Sequence, residues 1–420
     1  MDTALEGLAS NPALPASLLD RLVLVEDEAV SLDLALRPDL RGAHVRVLLS
    51  RSPAVASVLL SSGRVSPCEV PTSDPWFALV VASVVPAVAR SLAVHPDPAV
   101  RVRLASCSLS PDVVLQLVQD SSDDVVAEVV RSHAVPPELA LALSTHPQVE
   151  VRRALASSSS TPAVVLERLS SDERCAYPLA VNPATPTAVA VDLMRFPQVH
   201  LWLAERTDLP ASVYSQLAVG GPRIQSRLVA NPAVPLSLLI SVAGSRAGSG
   251  LVPRVASASE AELRVLASSG VSARMLLAAR PDLPADLFSS LVADPSVASV
   301  LVTNPSLTVA QLRGLVMRDG PALYPWAARN PLCPGDLLHH MALQGSASVE
   351  TYRAIAEHPQ ARGETLLLCL EDSQARHAAA CHPRLPVEKI VELLGSEFTA
   401  RPAASNPSLP VHVMEGLLSW

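Results

Sequence analysis

The chain has 420 residues, 49% of them hydrophobic but only 3% aromatic, and a formal net charge of −8. This balance speaks against a general nucleic-acid binder, which carries a clearly basic domain, and it makes the interior aliphatic, built from Leu, Val and Ala. Against 16 glycines stand 38 prolines that recur in register with apolar residues, which argues against a disordered linker protein.

From the N-terminus, Met1-Asp2-Thr3-Ala4-Leu5-Glu6 lacks the basic and apolar regions of a signal peptide. No apolar run along the chain reaches the roughly 18 residues that a membrane-spanning helix needs. The first copy of a recurring motif is Asn11-Pro12-Ala13-Leu14-Pro15, repeated clearly as Asn231-Pro232-Ala233-Val234-Pro235 and Asn406-Pro407-Ser408-Leu409-Pro410. Aligned on the last proline or its equivalent, the anchors are Pro15, Arg41, Pro67, Pro86, Pro111, Pro136, Pro162, Pro186, Pro210, Pro235, Ser259, Pro284, Thr308, Pro334, Arg362, Pro386 and Pro410. They define about 17 repeats of about 25 residues, a period that predicts a stacked all-α solenoid over residues 1–420. The register is irregular near 63–90 and again near 240–262, where Gly244, Gly248 and Gly250 lie in a Ser-rich stretch that reads as a loose loop.

Each repeat predicts two helices. A leading helix of about ten residues starts with the anchor proline at its first position, where a missing N–H costs nothing. Ser110, Thr161 and Thr185 precede that proline as N-caps. A buried stripe follows as apolar pairs three residues apart: Leu19/Leu22, Leu115/Val118, Leu166/Leu169, Leu239/Val242, Phe288/Leu291, Leu338/Met341 and Ile390/Leu393. A second proline, as at Pro98, Pro197, Pro222, Pro295 and Pro321, restarts the chain into a trailing helix of one or two turns, in part 3₁₀. A small residue recurs there (Ala105, Ala156, Ala180, Ala204, Ala278, Ala328, Ala380) and lets neighbouring helices approach. Tyr214 and Phe288, at the leucine position of their repeats, read as core.

The succession Asn-Pro-x-Leu-Pro, two leucines, a proline and a segment such as Val100-Arg101-Val102-Arg103-Leu104-Ala105 or Val151-Arg152-Arg153-Ala154-Leu155-Ala156 resembles the leucine-rich repeat variant family. The resemblance covers nearly the whole chain. It implies alternating α- and 3₁₀-helices wound into a right-handed superhelix without strands. A founding member of that family carries a cysteine-rich cluster-binding segment before its repeats. No cysteine precedes Cys68 in this chain, so no iron–sulfur function is carried over.

Four residues before the motif asparagine, or its equivalent, stand Arg103, Glu128, Ala154, Trp202, Arg227, Leu276, Trp326 and Ala378. A position that alternates between charge, Ala and Trp is not a uniform core slot, and Trp and Arg dominate binding hot spots. Arg103, Trp202 and Arg227, Trp326, and the neighbouring His200 and Tyr324 therefore form the candidate partner-binding surface. Arg101, Arg103, Arg152, Arg153, Arg223 and Arg227 can line a basic stripe, although Glu128, Glu150, Asp123 and Asp124 interrupt it. His95, His146, His358 and His382 precede prolines and read as turn chemistry. His339-His340 lack the carboxylate spacing of a metal site, 244–250 lacks the spacing and lysine of a phosphate loop, and six scattered cysteines without a CxxC pair fit reduced thiols.

The sequence thus leads to a non-enzymatic cytoplasmic scaffold, without cofactor or metal, that binds a protein or peptide. Two alternatives stand beside it. One is a HEAT-like nucleic-acid-binding protein, related to DNA repair, that uses the Arg-bearing short helices. The other is a self-assembling structural protein, suggested by Met414, Leu417, Leu418 and Trp420 at an end without a polar cap.

Overall fold

The computed structural model describes residues 2–243, 250–344 and 347–418. The 244–250 stretch, apart from Gly250, and Trp420 lie outside them. The described residues are helical throughout, with no strand among them. They group into two compact units, one of residues 2–59, 250–251 and 258–418 and the other of residues 60–243 and 252–257. Where the sequence predicts one uninterrupted array, the boundaries fall beside or within its two irregular segments. Among the described residues, no helix is long and apolar enough to cross a membrane.

Within both units the chain alternates leading and trailing helices. The leading helices are shorter than the expected ten residues, commonly seven, as in Ala16–Leu22, Ala163–Leu169 and Val387–Leu393. Most anchor prolines sit one position earlier than predicted, at the N-cap. Pro15 has φ −62° and ψ 147°, the extended geometry an N-cap requires, and its carbonyl accepts from Leu18 (3.0 Å) and Leu19 (2.9 Å). The core residues then fall three, four and seven positions after the cap: Leu18, Leu19 and Leu22 are all buried.

This offset corrects one repeat. Pro111 occupies the first helical position and Ser110 the cap, so the buried residues are Val113, Val114 and Leu117, while Leu115 is 40% exposed. The physical register is the cap, not the proline. The other expected caps act differently too. Thr161 donates back to the Leu155 carbonyl (2.7 Å), and the Thr185 hydroxyl has no partner among the described residues.

The second prolines Pro98, Pro197, Pro222 and Pro295 do take the first helical position, and Pro321 the second; an aspartate caps two of them, Asp97 accepting from the Ala99 N–H (2.8 Å) and Asp294 from Ser296 (2.9 Å). Several trailing helices open with a 3₁₀ turn, at Glu173–Cys175, Pro197–Val199, Pro295–Val297 and Gly320–Leu323. Others are full α-helices of eight to ten residues, such as Pro98–Ala105 and Asp123–Ser132. The recurring alanines from Ala105 to Ala380 are buried. Tyr214 is buried as expected, its hydroxyl donating to the Arg206 carbonyl (2.6 Å), whereas Phe288 is only half-buried, the core of its helix being Leu287 and Leu291.

In many repeats one side chain ties the repeat to the one before. Asn182 donates to the carbonyls of Ala156 (2.8 Å) and Ser158 (3.0 Å) and accepts from the Ala184 N–H (2.9 Å). Asn231, Asn304, Asn330 and Asn406 repeat this arrangement. The amide spends both donors on carbonyls that would otherwise be buried unpaired, at a cost of about 1–3 kcal/mol each. Histidine fills the slot at His358, which reaches the Asn330 carbonyl (3.1 Å), and at His382, which reaches His358 (3.3 Å). Arginine fills it at Arg37 and Arg206. His95 and His146 do not belong to this slot; each accepts an N–H two residues on, at the turn before a trailing helix.

The first compact unit contains a seam that the sequence does not predict. Asp2–Ser10 precedes the Asn11 motif as trailing helices do, and Val411–Leu417 follows an anchor proline as leading helices do. Asn11 donates to the carbonyls of Ala404 (2.8 Å) and Asn406 (2.9 Å), the same bridge that Asn406 makes to Ala380 and His382. The approach is close enough that a Cβ on Gly7 would lie 2.1 Å from the Arg401 carbonyl oxygen. Arg401 pairs with Glu6 (2.7 Å) and Asp33 (3.3 Å), and Ala4, Ala400, Ala404, Leu394 and Leu417 form an apolar cluster. Met414 and Leu418 are therefore buried, which corrects the expectation of an uncovered apolar end and removes the observation that suggested end-to-end assembly.

Candidate functional site

In the second compact unit, successive trailing helices Pro75–Val81, Pro98–Ala105, Asp123–Ser132 and Val149–Ser157 share one open groove of about 830 Å³. It is lined by Trp76, Val102, Arg103, Asp124, Ala127, Glu128, Arg131 and Glu150, among others. Each helix buries its Val, Leu and Ala face on its neighbours and turns these side chains out. Arg103 and Glu128, both at the variable position, line the groove as the alternation of residue types suggests. Trp76 is 45% exposed. Sequence reading missed it because it lies where the register is least secure. The signal is nonetheless present: Asp74-Pro75 has the cap-and-proline form of Asp97-Pro98, and Asp74 accepts from the N–H groups of Trp76 (2.7 Å) and Phe77 (3.3 Å).

The charges in the groove are unequal in availability. Glu128 is bound by Arg131 and by Ser132, and Glu150 pairs with Arg153 at 3.0 Å. Arg103 and Asp124 are exposed and have no ion-pair partner among the described residues.

The remaining candidates separate by environment. Trp202 is half-buried and meets Tyr177 edge-on, ring centroids 4.6 Å apart. It borders a smaller open hollow with Val181, Pro183, Glu205 and Asp208. Arg227 is exposed and pairs with Glu205 at 2.9 Å. His200 is a structural clamp, its ring nitrogen bonded to the Met194 carbonyl at 2.8 Å, and Arg101 and Arg152 bind the carbonyls of His95 and His146 at the same six-residue spacing. In the first unit, Trp326 is half-buried under the Arg329 guanidinium (5.2 Å). Tyr324 is 4% exposed and belongs to the interior rather than to a binding surface. At the variable position itself, Ala154 and Leu276 are buried; the slot lies between adjacent trailing helices, and only a side chain long enough to emerge reaches solvent.

The basic stripe is mostly neutralised. Arg101 forms a two-point pair with Asp120 (2.7 and 2.9 Å), Arg152 pairs with Asp172 (2.8 Å), and Arg153 and Arg227 pair with glutamates. The Arg101 hydrogen bond holds the Asp120 carboxyl below its ordinary range. Among the described residues, Arg103 and Arg223 alone of the six have no such partner. Burial pushes the Cys175 thiol up to about 11 and those of Cys333 and Cys369 up to about 12, so these thiols stay protonated and are not nucleophiles near neutral pH. Among the described residues no group of His, Cys, Asp and Glu is placed to hold a metal ion. The arrangement offers contact surface and fixed charge.

No family model matches the chain, and neither a curated protein nor a solved structure matches it.

Proposed function

We propose that the chain is a non-enzymatic scaffold of the leucine-rich repeat variant kind that binds a protein or peptide partner through the exposed side of its trailing helices. The observation that carries this reading is the open groove across four successive trailing helices, in which an exposed Trp76 stands beside the variable-position residues Arg103 and Glu128. A rigid frame of buried Leu, Val and Ala with a changeable outward residue suits recognition, because the side chains that touch a ligand vary without disturbing the stack. The cytoplasm is the compartment that six cysteines without pair spacing fit best.

A photo-crosslinking amino acid placed at Val102 tests the proposal in cells of the source organism. Discrete adducts that disappear in a Trp76→Ala background, and that a crosslinker at Leu141 does not produce, are expected. Identical adducts from both positions would overturn it.

A further inference from the structure

The groove's geometry fixes what kind of segment fits it, granted that it is a binding groove. Packed helices stand about 8–10 Å apart, and an extended chain of polyproline II form advances about 3.1 Å per residue and completes a turn every three residues, which returns side chains i and i+3 to one face about 9 Å apart. A peptide lying across successive trailing helices therefore presents every third side chain to successive helices. The groove offers those side chains an ordered series. Trp76, on the first helix, is an exposed aromatic face. Arg103, on the second, is a cation with no ion-pair partner among the described residues. Asp124, on the third, is an exposed carboxylate with no ion-pair partner among the described residues, and Glu150, on the fourth, is a carboxylate already paired with Arg153. The intervening floor at Val102 and Ala127 is small and apolar, which leaves room for a backbone.

We infer that the groove takes an extended peptide in polyproline II form carrying an apolar, an acidic and a basic side chain at every third position, placed on Trp76, Arg103 and Asp124 respectively. Charge complementarity selects this occupant: a uniformly basic segment meets Arg103, and a uniformly acidic one meets Asp124 and Glu150. Helical ligands of the same composition place i and i+3 side chains about 5–6 Å apart, too close to reach successive helices.

Fluorescence anisotropy with the full chain tests the inference. The probe is fluorescein-labelled Gly-Leu-Ser-Thr-Glu-Ser-Thr-Lys-Gly, together with its reversed order to cover both chain directions and a version with Lys in place of the central Glu. One of the two Glu-centred peptides is expected to bind, at least about tenfold more tightly than the Lys-centred version, and to weaken about tenfold with Trp76→Ala. Arg103→Glu should reverse the preference in favour of the central Lys, an outcome that a merely unfolded variant does not give. Failure of both Glu-centred peptides to bind at about 1 mM overturns the inference. So does binding whose charge preference Arg103→Glu leaves unchanged; in that case the crosslinking result at Val102 still decides whether the groove binds a partner.

Discussion

Two seams of the first compact unit are chemically the same and covalently different. Asn406 joins its repeat to the one before it in the chain, and Asn11 joins the first repeat to the last through the same pair of carbonyl bonds. At the Asn406 seam the backbone enforces proximity. At the Asn11 seam only packing does so, and its contacts are correspondingly close: Gly7 has no room for a Cβ, and Arg401 holds two carboxylates. A repeat interface is thus strong enough to form without a connecting chain when its packing is tight.

Gly7→Val should have the largest effect. Its Cβ would fall 2.1 Å from backbone, so the helix Asp2–Ser10 must leave, with a loss of at least about 3 kcal/mol. Hydrogen exchange should then rise in residues 2–10 and 400–418 together while residues 100–240 stay protected; uniform exchange across the chain would mean the seam is not separable. Next, Asn11→Leu and Asn406→Leu each strand two carbonyls and should each cost about 2–4 kcal/mol in chemical denaturation. A much smaller loss for Asn11→Leu would show that packing alone holds the terminal seam.

The histidine seams add a pH dependence that the asparagine seams lack. His358 and His382 bond a carbonyl through one nitrogen and accept an N–H through the other, which only the neutral ring can do. Burial lowers both below the ordinary 6.5, with Arg384 adding to the effect at His382. Because the unfolded chain takes up these protons at higher pH than the folded one, their contribution is complete above about pH 6.5 and is lost as pH falls through the lowered folded values. The double variant His358→Asn/His382→Asn should flatten the melting temperature between pH 7 and pH 5; an unchanged slope would place the dependence elsewhere. The smallest effect expected is from Gly314→Ala. It lies within Val309–Asp319 with open space around its Cβ, and calorimetry should show a gain of about 0.5–1 kcal/mol.

Much of the frame is readable from sequence because its signals are local. Leu19, Leu22, Leu166 and Met341 are buried where their spacing places them, and the recurring alanines mark the close contacts. The alignment slips at Leu115 because proline serves two positions, cap and first turn, and periodicity alone does not say which. The sequence places Tyr324 outward with its neighbour Trp326, although a short 3₁₀-led helix turns a residue two positions away to the opposite side. Trp76 was hidden by irregular register. The motif asparagines were visible, but their reach to carbonyls 24 to 28 residues back is not a local property. Asn11 is the extreme case: its partners are 393 and 395 residues away, and nothing near it in sequence names them.

That separation imposes an order on biosynthesis. At about 5–20 residues per second, roughly 20 to 80 s pass between the emergence of Asn11 and that of Ala404. Throughout that interval Ala4 lacks Ala400 and Ala404, against which it packs in the finished protein, and Asn11 lacks the two carbonyls it bonds. The face of the nascent helix Asp2–Ser10 that meets this segment thus stays uncovered until residues 400–406 emerge.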